Sequence, residues 1–251
     1  MKKQTLRLDA LLVERGLAPS RERARALILA GQVQVDGKPA PKAGMAVAHD
    51  VSVDLLTPDH PYVGRGGIKL EHALTTFQIA VDGRTALDIG ASTGGFTDVL
   101  LRRGAARVVA LDVGHGQLDW RLRNDPRVIV LERVNARMLT PDQLPDTARR
   151  FDIVTIDVSF ISLRQILPPV PPLLAPGADV IALVKPQFEA GRADVGKGGI
   201  VRDPRVHDRV LDEVTSAAVA LGWSLAGSCE SPITGMEGNR EYLLHLRRPD
   251  A

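Results

Sequence analysis

The chain has 251 residues, 44% hydrophobic and 25% charged, enough for one large domain and one small one. Its single cysteine, Cys229, excludes an internal disulfide and suits a reducing cytoplasm, where the protein is expected to work as a monomer. No apolar run reaches the length of a membrane span, Met1-Lys-Lys leads into no signal-peptide core, and six scattered histidines lack metal-ligand spacing, so neither membrane nor metal is expected. The net charge of +2 is uneven. Residues 1–49 hold nine Lys/Arg against four Asp/Glu, so +5, and the remainder is −3. A basic end on a near-neutral body fits a polyanion-binding module attached to an enzymatic core.

The first elements are small. Leu8, Leu11 and Leu12 stand at helical spacing, and Gly16 ends that helix. Ser20 reads as the N-cap of a second helix, Arg21 to Ala30, with Ala24, Leu27 and Ile28 inward. Gly31 stops it, and Val33-Gln-Val35 alternates into the hairpin signal Asp36-Gly37. Thr57-Pro-Asp-His-Pro61 reads as a linker, because two prolines suppress regular structure. The expected division is a small α+β domain over 1–58, a join over 59–63 and a large domain over 64–251. In the large domain, apolar strands at 85–89, 107–112, 128–131, 151–157, 179–185 and near 223–229 and 241–246 alternate with helical stretches. That alternation predicts an α/β fold with a doubly wound, Rossmann-like sheet. The Pro-rich piece 168–176 reads as a loop.

The stretch Thr85-Ala-Leu-Asp-Ile-Gly-Ala-Ser-Thr-Gly-Gly-Phe96 is a strand ending on an acid, a glycine loop and the start of a helix running to Arg103. Such turns bind nucleotides, because free amides at the helix start attract negative charge. A P-loop needs Gly-Lys-Ser/Thr where Gly-Gly-Phe stands, and a dinucleotide fingerprint wants glycine at Ser92. Asp88, two residues before Gly90, instead resembles motif I of S-adenosylmethionine-dependent methyltransferases, where an acid holds the loop around the methionine end. The next strand ends on Asp112, which has the position of an acid that binds ribose hydroxyls. The candidate cofactor residues are Asp88, Gly90, Ala91, Ser92, Gly94, Gly95, Phe96, Asp112 and Asn135.

Two later strands end on opposite charges. Phe151-Asp-Ile-Val-Thr-Ile-Asp157 ends on an acid, and Val180-Ile-Ala-Leu-Val-Lys185 ends on a lysine. Ligands of open α/β sheets bind at the carboxyl ends of strands, so these tips mark a site.

With these motifs in order, the chain resembles a known family. Tyr62-Val-Gly-Arg-Gly-Gly-Ile-Lys-Leu70, Gly90 to Phe96, Asp157-Val-Ser-Phe-Ile-Ser162, Val184-Lys-Pro-Gln-Phe-Glu189 and Gly238-Asn-Arg-Glu-Tyr242 are similar to the TlyA family. These are ribosomal RNA 2′-O-methyltransferases, historically labelled haemolysins, with an S4 RNA-binding domain joined to an FtsJ-like catalytic domain. The helix–helix–hairpin order over residues 6–56 resembles that S4 domain. The resemblance implies S-adenosylmethionine as cofactor, ribosomal RNA as partner, a seven-stranded sheet with its last strand antiparallel, and a catalytic tetrad of Lys69, Asp157, Lys185 and Glu241. It further implies RNA contacts at Arg7, Arg21 and Lys42 in the first domain and at Arg65, Arg133, Arg137 and Arg192 in the second.

These residue types suit the chemistry. A 2′-hydroxyl is a weak nucleophile, whereas a sulfonium methyl is already activated, so the enzyme must align the reacting atoms and deal with the hydroxyl proton. Lys185 is the candidate for that oxygen. Burial and Lys69 would favour a neutral base, while Asp157 and Glu241 would favour a charged lysine that orients the oxygen. Arginine forks suit phosphate, and with only 4% aromatic residues broad base stacking is not expected. Shape recognition of folded RNA with an outturned nucleotide fits better. The chain stops soon after its last strand, at Arg247-Arg-Pro-Asp-Ala251, which leans towards the family's short form and large-subunit RNA. Three other readings compete: a non-catalytic assembly factor, a membrane-active haemolysin, and a small-molecule methyltransferase. The intact tetrad speaks against the first, the lack of a spanning segment against the second, and the basic module against the third.

Overall fold

The computed structural model describes residues 5–18, 20–56, 60–235 and 237–247. They divide into a unit up to Pro61 and a unit from Tyr62. Thr57-Pro-Asp59 of the expected join and residues 248–251 lie outside the described residues. Tyr62 and Val63, expected in the join, pack against the core of the second unit.

In the first unit, β1 (Thr5–Arg7), α1 (Leu8–Glu14) and α2 (Arg21–Leu29) precede β2 (Val33–Val35), β3 (Lys38–Pro39), β4 (Ala46–Ala48) and β5 (Val53–Leu55). The Ser20 side chain accepts a hydrogen bond from Arg23 N, at 3.2 Å, and so caps α2 as expected. β2 turns at Asp36-Gly37 into β3 and also pairs with β5, while β1 pairs with β4. Leu8, Leu11, Leu12, Ala24, Ile28, Val33 and Val47 close a small apolar core.

The second unit contains α3 (Gly66–Thr76), β6 (Thr85–Ile89), α4 (Gly95–Arg102), β7 (Arg107–Asp112), α5 (Trp120–Arg123), β8 (Val128–Glu132) and β9 (Phe151–Ile156). These are followed by α6 (Leu163–Ile166), β10 (Leu174–Val184), α7 (Pro186–Glu189), α8 (Pro204–Ala220), β11 (Ser224–Glu230) and β12 (Tyr242–Arg247). The described strands form one sheet in the order β11-β12-β10-β9-β6-β7-β8. β6 to β10 pair in parallel, and β12 runs antiparallel between β10 and β11, as the family resemblance implies. Alternate residues feed two apolar layers, because helices cover both faces. Ala86, Val108, Ile153 and Ile181 meet Leu70, Leu74, Phe96 and Val99 on one face. Leu87, Val109, Val154 and Val180 meet Leu163, Leu167, Val210 and Val214 on the other.

One expectation needs correction. β10 begins at Leu174 rather than 179, with a register break between Leu174 and Asp179, so the end of the Pro-rich piece is strand rather than loop. The segment around Lys69, to which no element was assigned from the sequence, is the helix α3.

Asp179 binds the far edge of the sheet together. Its carboxylate is buried and accepts from Arg84 Nη1 at 2.7 Å, His245 Nε2 at 2.7 Å and Arg247 Nε at 2.8 Å. Burial works against its charged form, but these hydrogen bonds outweigh burial and hold the carboxyl well below the usual carboxylate range. Removing it leaves three donors without their acceptor. Asp179→Ala should therefore lower unfolding stability by about 3 kcal/mol in urea titration, and a loss under about 1 kcal/mol would show that solvent replaces the carboxylate.

Candidate active site

Backbone register brings the candidate residues abreast. β10 and β12 set Val184 opposite Tyr242, so the next residues outward are Lys185 and Glu241. β9 and β6 set Ile156 opposite Ile89, so Asp157 and Gly90 follow, and Asp157 N donates to Ile89 O at 2.9 Å. The charges form two pairs. Lys185 Nζ lies 2.6 Å from Asp157 Oδ1 and donates to Ser159 Oγ at 2.9 Å. Lys69 Nζ, from α3, donates to Glu241 Oε2 at 2.5 Å, with both residues buried. α3 also approaches the first pair: a side chain begun at Gly66 would meet Asp157 Oδ2 at 3.9 Å.

The glycine loop is part of the same construction. Gly90 takes φ +87°, and a Cβ there would overlap the Asp157 carbonyl oxygen, so the loop touches the backbone that carries the acid. Gly94 takes φ +98°, and a Cβ there would overlap the Leu122 side chain. The left-handed backbone and the Leu118 and Leu122 side chains thus both disfavour a larger residue at 94. At the tip of β7, Asp112 accepts from Ser92 N through Oδ2 and from Gly114 N through Oδ1, both at 2.7 Å. Val134 N donates to Asp112 O and Arg133 N to Gly114 O, joining the β7 and β8 tips. These tips expose two apolar side chains, Val113 and Met138.

Other expected contacts are redirected. Asp88 is fully buried and accepts from Thr97 Oγ1 at 2.7 Å and Thr155 Oγ1 at 2.9 Å, so its carboxyl braces α4 and β9 from below the loop. Ala91 and the Phe96 ring belong to the apolar core, which leaves only their backbone for a ligand. Gly95 opens α4 and is itself buried. Asn135 is exposed, and its side-chain oxygen caps the turn at 136–138 by accepting from Arg137 N at 3.1 Å.

Known proteins match this arrangement. A model of FtsJ-like methyltransferases matches residues 62–248, and a model of the S4 domain matches residues 6–51. The 16S/23S rRNA (cytidine-2'-O)-methyltransferase TlyA of Mycobacterium tuberculosis is 52% identical over 96% of this chain and 89% of its own length. The chain belongs to the TlyA family of FtsJ-like methyltransferases. A solved structure from Streptococcus thermophilus, named as a hemolysin, is 44% identical, covers 99% of this chain and 90% of that one, and superposes with a TM-score of 0.77. An S-adenosylmethionine-dependent methyltransferase from Listeria monocytogenes shares the fold at 17% identity and TM-score 0.55, over 74% of this chain and all of that one.

For a TlyA-family chain, two residues near the charged pairs escaped the sequence reading. Phe160 is 90% exposed, sits at φ +64°, and packs tilted against Phe188 with 5.0 Å between ring centres, and the Phe188 ring also faces Lys185 Nζ. A left-handed, non-glycine backbone costs on the order of 1–3 kcal/mol and persists where a site over-determines it. The signal in the sequence was an aromatic three residues after a strand-tip acid. Glu189 is the second. Buried, it accepts from Ser162 Oγ at 2.5 Å and Leu163 N at 2.6 Å, and burial pushes its carboxyl up. It thereby fastens the start of α6, which follows the Asp157 loop, to α7, which follows Lys185. The guanidinium groups of Arg65, Arg133, Arg137 and Arg192 are exposed and have no hydrogen bond or ion pair among the described residues. Arg84, Arg103, Arg127 and Arg247 instead each sit on a carboxylate.

Burial pushes the Asp88 carboxyl up to about 6, against the hydrogen bonds from Thr97 and Thr155. With the folded value raised above the unfolded 3.8, its contribution to stability is full below about pH 4 and is lost as pH rises through 6. A rise of that size corresponds to on the order of 3 kcal/mol. Urea unfolding from pH 4 to 8 should show the wild type losing that much stability relative to Asp88→Asn, and parallel curves would mean that another group titrates.

Proposed function

We propose that this chain uses S-adenosylmethionine to methylate a ribose 2′-hydroxyl of ribosomal RNA, with cytidine as the nucleoside. The observation that carries the reading is the pair of lysine–carboxylate contacts, Lys185–Asp157 and Lys69–Glu241, aligned at the strand tips beside the glycine loop. The relative at 52% identity is named for the same chemistry on cytidine of 16S and 23S RNA. Among the described residues, no helix is long and apolar enough to cross a membrane, which gives a helix-spanning haemolysin nothing to stand on.

The residues fit the cofactor. Asp112 receives amides from Ser92 and Gly114 and keeps lone pairs for ribose hydroxyls, while exposed Val113 and Met138 offer apolar surface for an adenine ring. The loop at 90–95 supplies backbone for the amino-acid end. When bound, the cofactor supplies a methyl group already activated by a positively charged sulfur.

The chain's own work is positioning and proton handling. Lys185 Nζ contacts Asp157 and Ser159 and keeps a donor position for the 2′-oxygen. The hydroxyl proton leaves towards the Lys185–Asp157 pair as the oxygen takes the methyl group. Lys69 and Glu241, paired with each other, complete the hydrogen-bonding wall. Phe160 offers a stacking face for the outturned base, and Arg65, Arg133, Arg137 and Arg192 offer free forks to phosphates.

Lys185→Ala should leave cofactor and RNA binding in place while single-turnover methyl transfer falls by roughly 10²-fold or more. Lys185→Arg should not restore it, because a guanidinium neither fits nor deprotonates. Near-normal rates in Lys185→Ala would favour a non-catalytic RNA-binding role. By calorimetry, Asp112→Ala should weaken cofactor binding by about 1–3 kcal/mol. Nucleoside mass spectrometry of both rRNAs after reaction with labelled cofactor reads out the methylated position, and label on a base instead of a ribose would reject the 2′-hydroxyl assignment.

A further inference from the structure

Arg7 and Arg21, read from the sequence as separate cations, meet on one acid. Asp9, in the first turn of α1, is fully buried. Arg7 donates to it through Nε at 3.0 Å and Nη2 at 2.9 Å, Arg21 through Nη2 at 3.2 and 3.3 Å, and Arg25 through Nε at 3.1 Å. The three guanidinium-bearing side chains come from two segments, the end of β1 and one face of α2, where Arg21 and Arg25 stand one turn apart. Hydrogen bonds chiefly from Arg7, then Arg25 and Arg21, overcome burial and hold the Asp9 carboxyl well below the usual carboxylate range. The neighbouring loop is pinned to the same place. Asp9 N donates to Ala43 O at 3.1 Å and Leu8 N to Met45 O at 2.8 Å, which brings Lys42 alongside, and a side chain begun at Gly44 would meet Arg7 Nη1 at 3.2 Å.

The stoichiometry is the informative point. One arginine would neutralise a buried aspartate. Three leave two positive charges in excess at one spot, and each of the three side chains remains about half exposed, at 50, 52 and 53%. Arg21 uses one terminal nitrogen and Arg25 only Nε, so N–H donors of both forks stay available. Ordering a long arginine side chain costs rotamer freedom, and here the protein meets that cost before a ligand arrives. We propose that Asp9 is a positioning residue that presents Arg7, Arg21 and Arg25 as a preformed clamp for neighbouring phosphates of the RNA backbone, with Arg25 as its third member. The proposal rests on the reading that the first unit binds ribosomal RNA.

Charge counting and preorganisation predict opposite results. Asp9→Asn raises the charge of this face by one, so charge alone predicts tighter RNA binding and a steeper salt dependence. Preorganisation predicts roughly tenfold weaker binding, because the arginines must then be ordered by the ligand. The experiment measures affinity of the full chain for ribosomal RNA extracted from purified subunits, across a salt series, with thermal unfolding as the folding control. Arg21→Lys and Arg25→Lys keep the charge, disturb the fold little at half-exposed sites, and carry the test should Asp9→Asn fail to fold. Each should bind about threefold or more weakly at an unchanged salt slope, since an ammonium cannot share itself between carboxylate and phosphate as a fork does. Combining Asp9→Asn with Arg21→Gln should cost less than the sum of the two, a coupling that a purely structural role for Asp9 would not produce. Tighter binding by Asp9→Asn, or wild-type affinity in both lysine variants, overturns the clamp. Wild-type affinity in the triple Arg7→Gln, Arg21→Gln, Arg25→Gln variant overturns the RNA-binding reading of the first unit as well, so the two failures are distinguishable.

Discussion

Sheet register is the constraint on which the active-site reading depends. Hydrogen bonds that pair Val184 with Tyr242 and Ile156 with Ile89 fix which residue comes next at each strand tip. A slip of one residue would turn Lys185, Asp157 or Glu241 to the other face of the sheet and dissolve both ion pairs. The apolar layers on both faces make such a slip costly, since every buried side chain of the strand would change layers as well. Chemical precision at the tips is thus inherited from packing in the middle.

Charge is handled differently at the two edges of this sheet. At the far edge, Asp179 is saturated by three donors and serves cohesion. At the tips, each lysine has one carboxylate, and Arg65, Arg133, Arg137 and Arg192 have none among the described residues. Saturated charges hold a structure together, whereas partly satisfied ones remain able to take up a substrate. Asp88 belongs with the first kind despite lying in the nucleotide loop motif, because both its oxygens are engaged by threonines.

Much of this was legible in the sequence, for reasons that can be named. Apolar runs ending on Asp157 and Lys185 announced themselves, because a charge after a buried strand has few places to be. The two helices and hairpin of the first unit followed from Ser20 and Asp36-Gly37. The helix around Lys69 was hidden by Gly66 and Gly67, which weaken the helical signal although the segment folds as a helix. Phe96 and Ala91 were named as cofactor residues from the loop motif, yet their side chains lie in the core, since a residue there faces ligand or core according to a turn that periodicity does not report. Asp9 was invisible for another reason. Its partners at 7, 21 and 25 converge only once β1 and α2 have folded against α1.

The antiparallel direction of β12 carries a practical consequence. Glu241 stands before that strand, so the strand leaves the reaction edge and runs away from it, ending where Arg247 meets Asp179. A purification tag, fluorophore or tether attached after Arg247 would therefore begin at the opposite edge of the catalytic sheet, with the full length of the strand between it and Lys185.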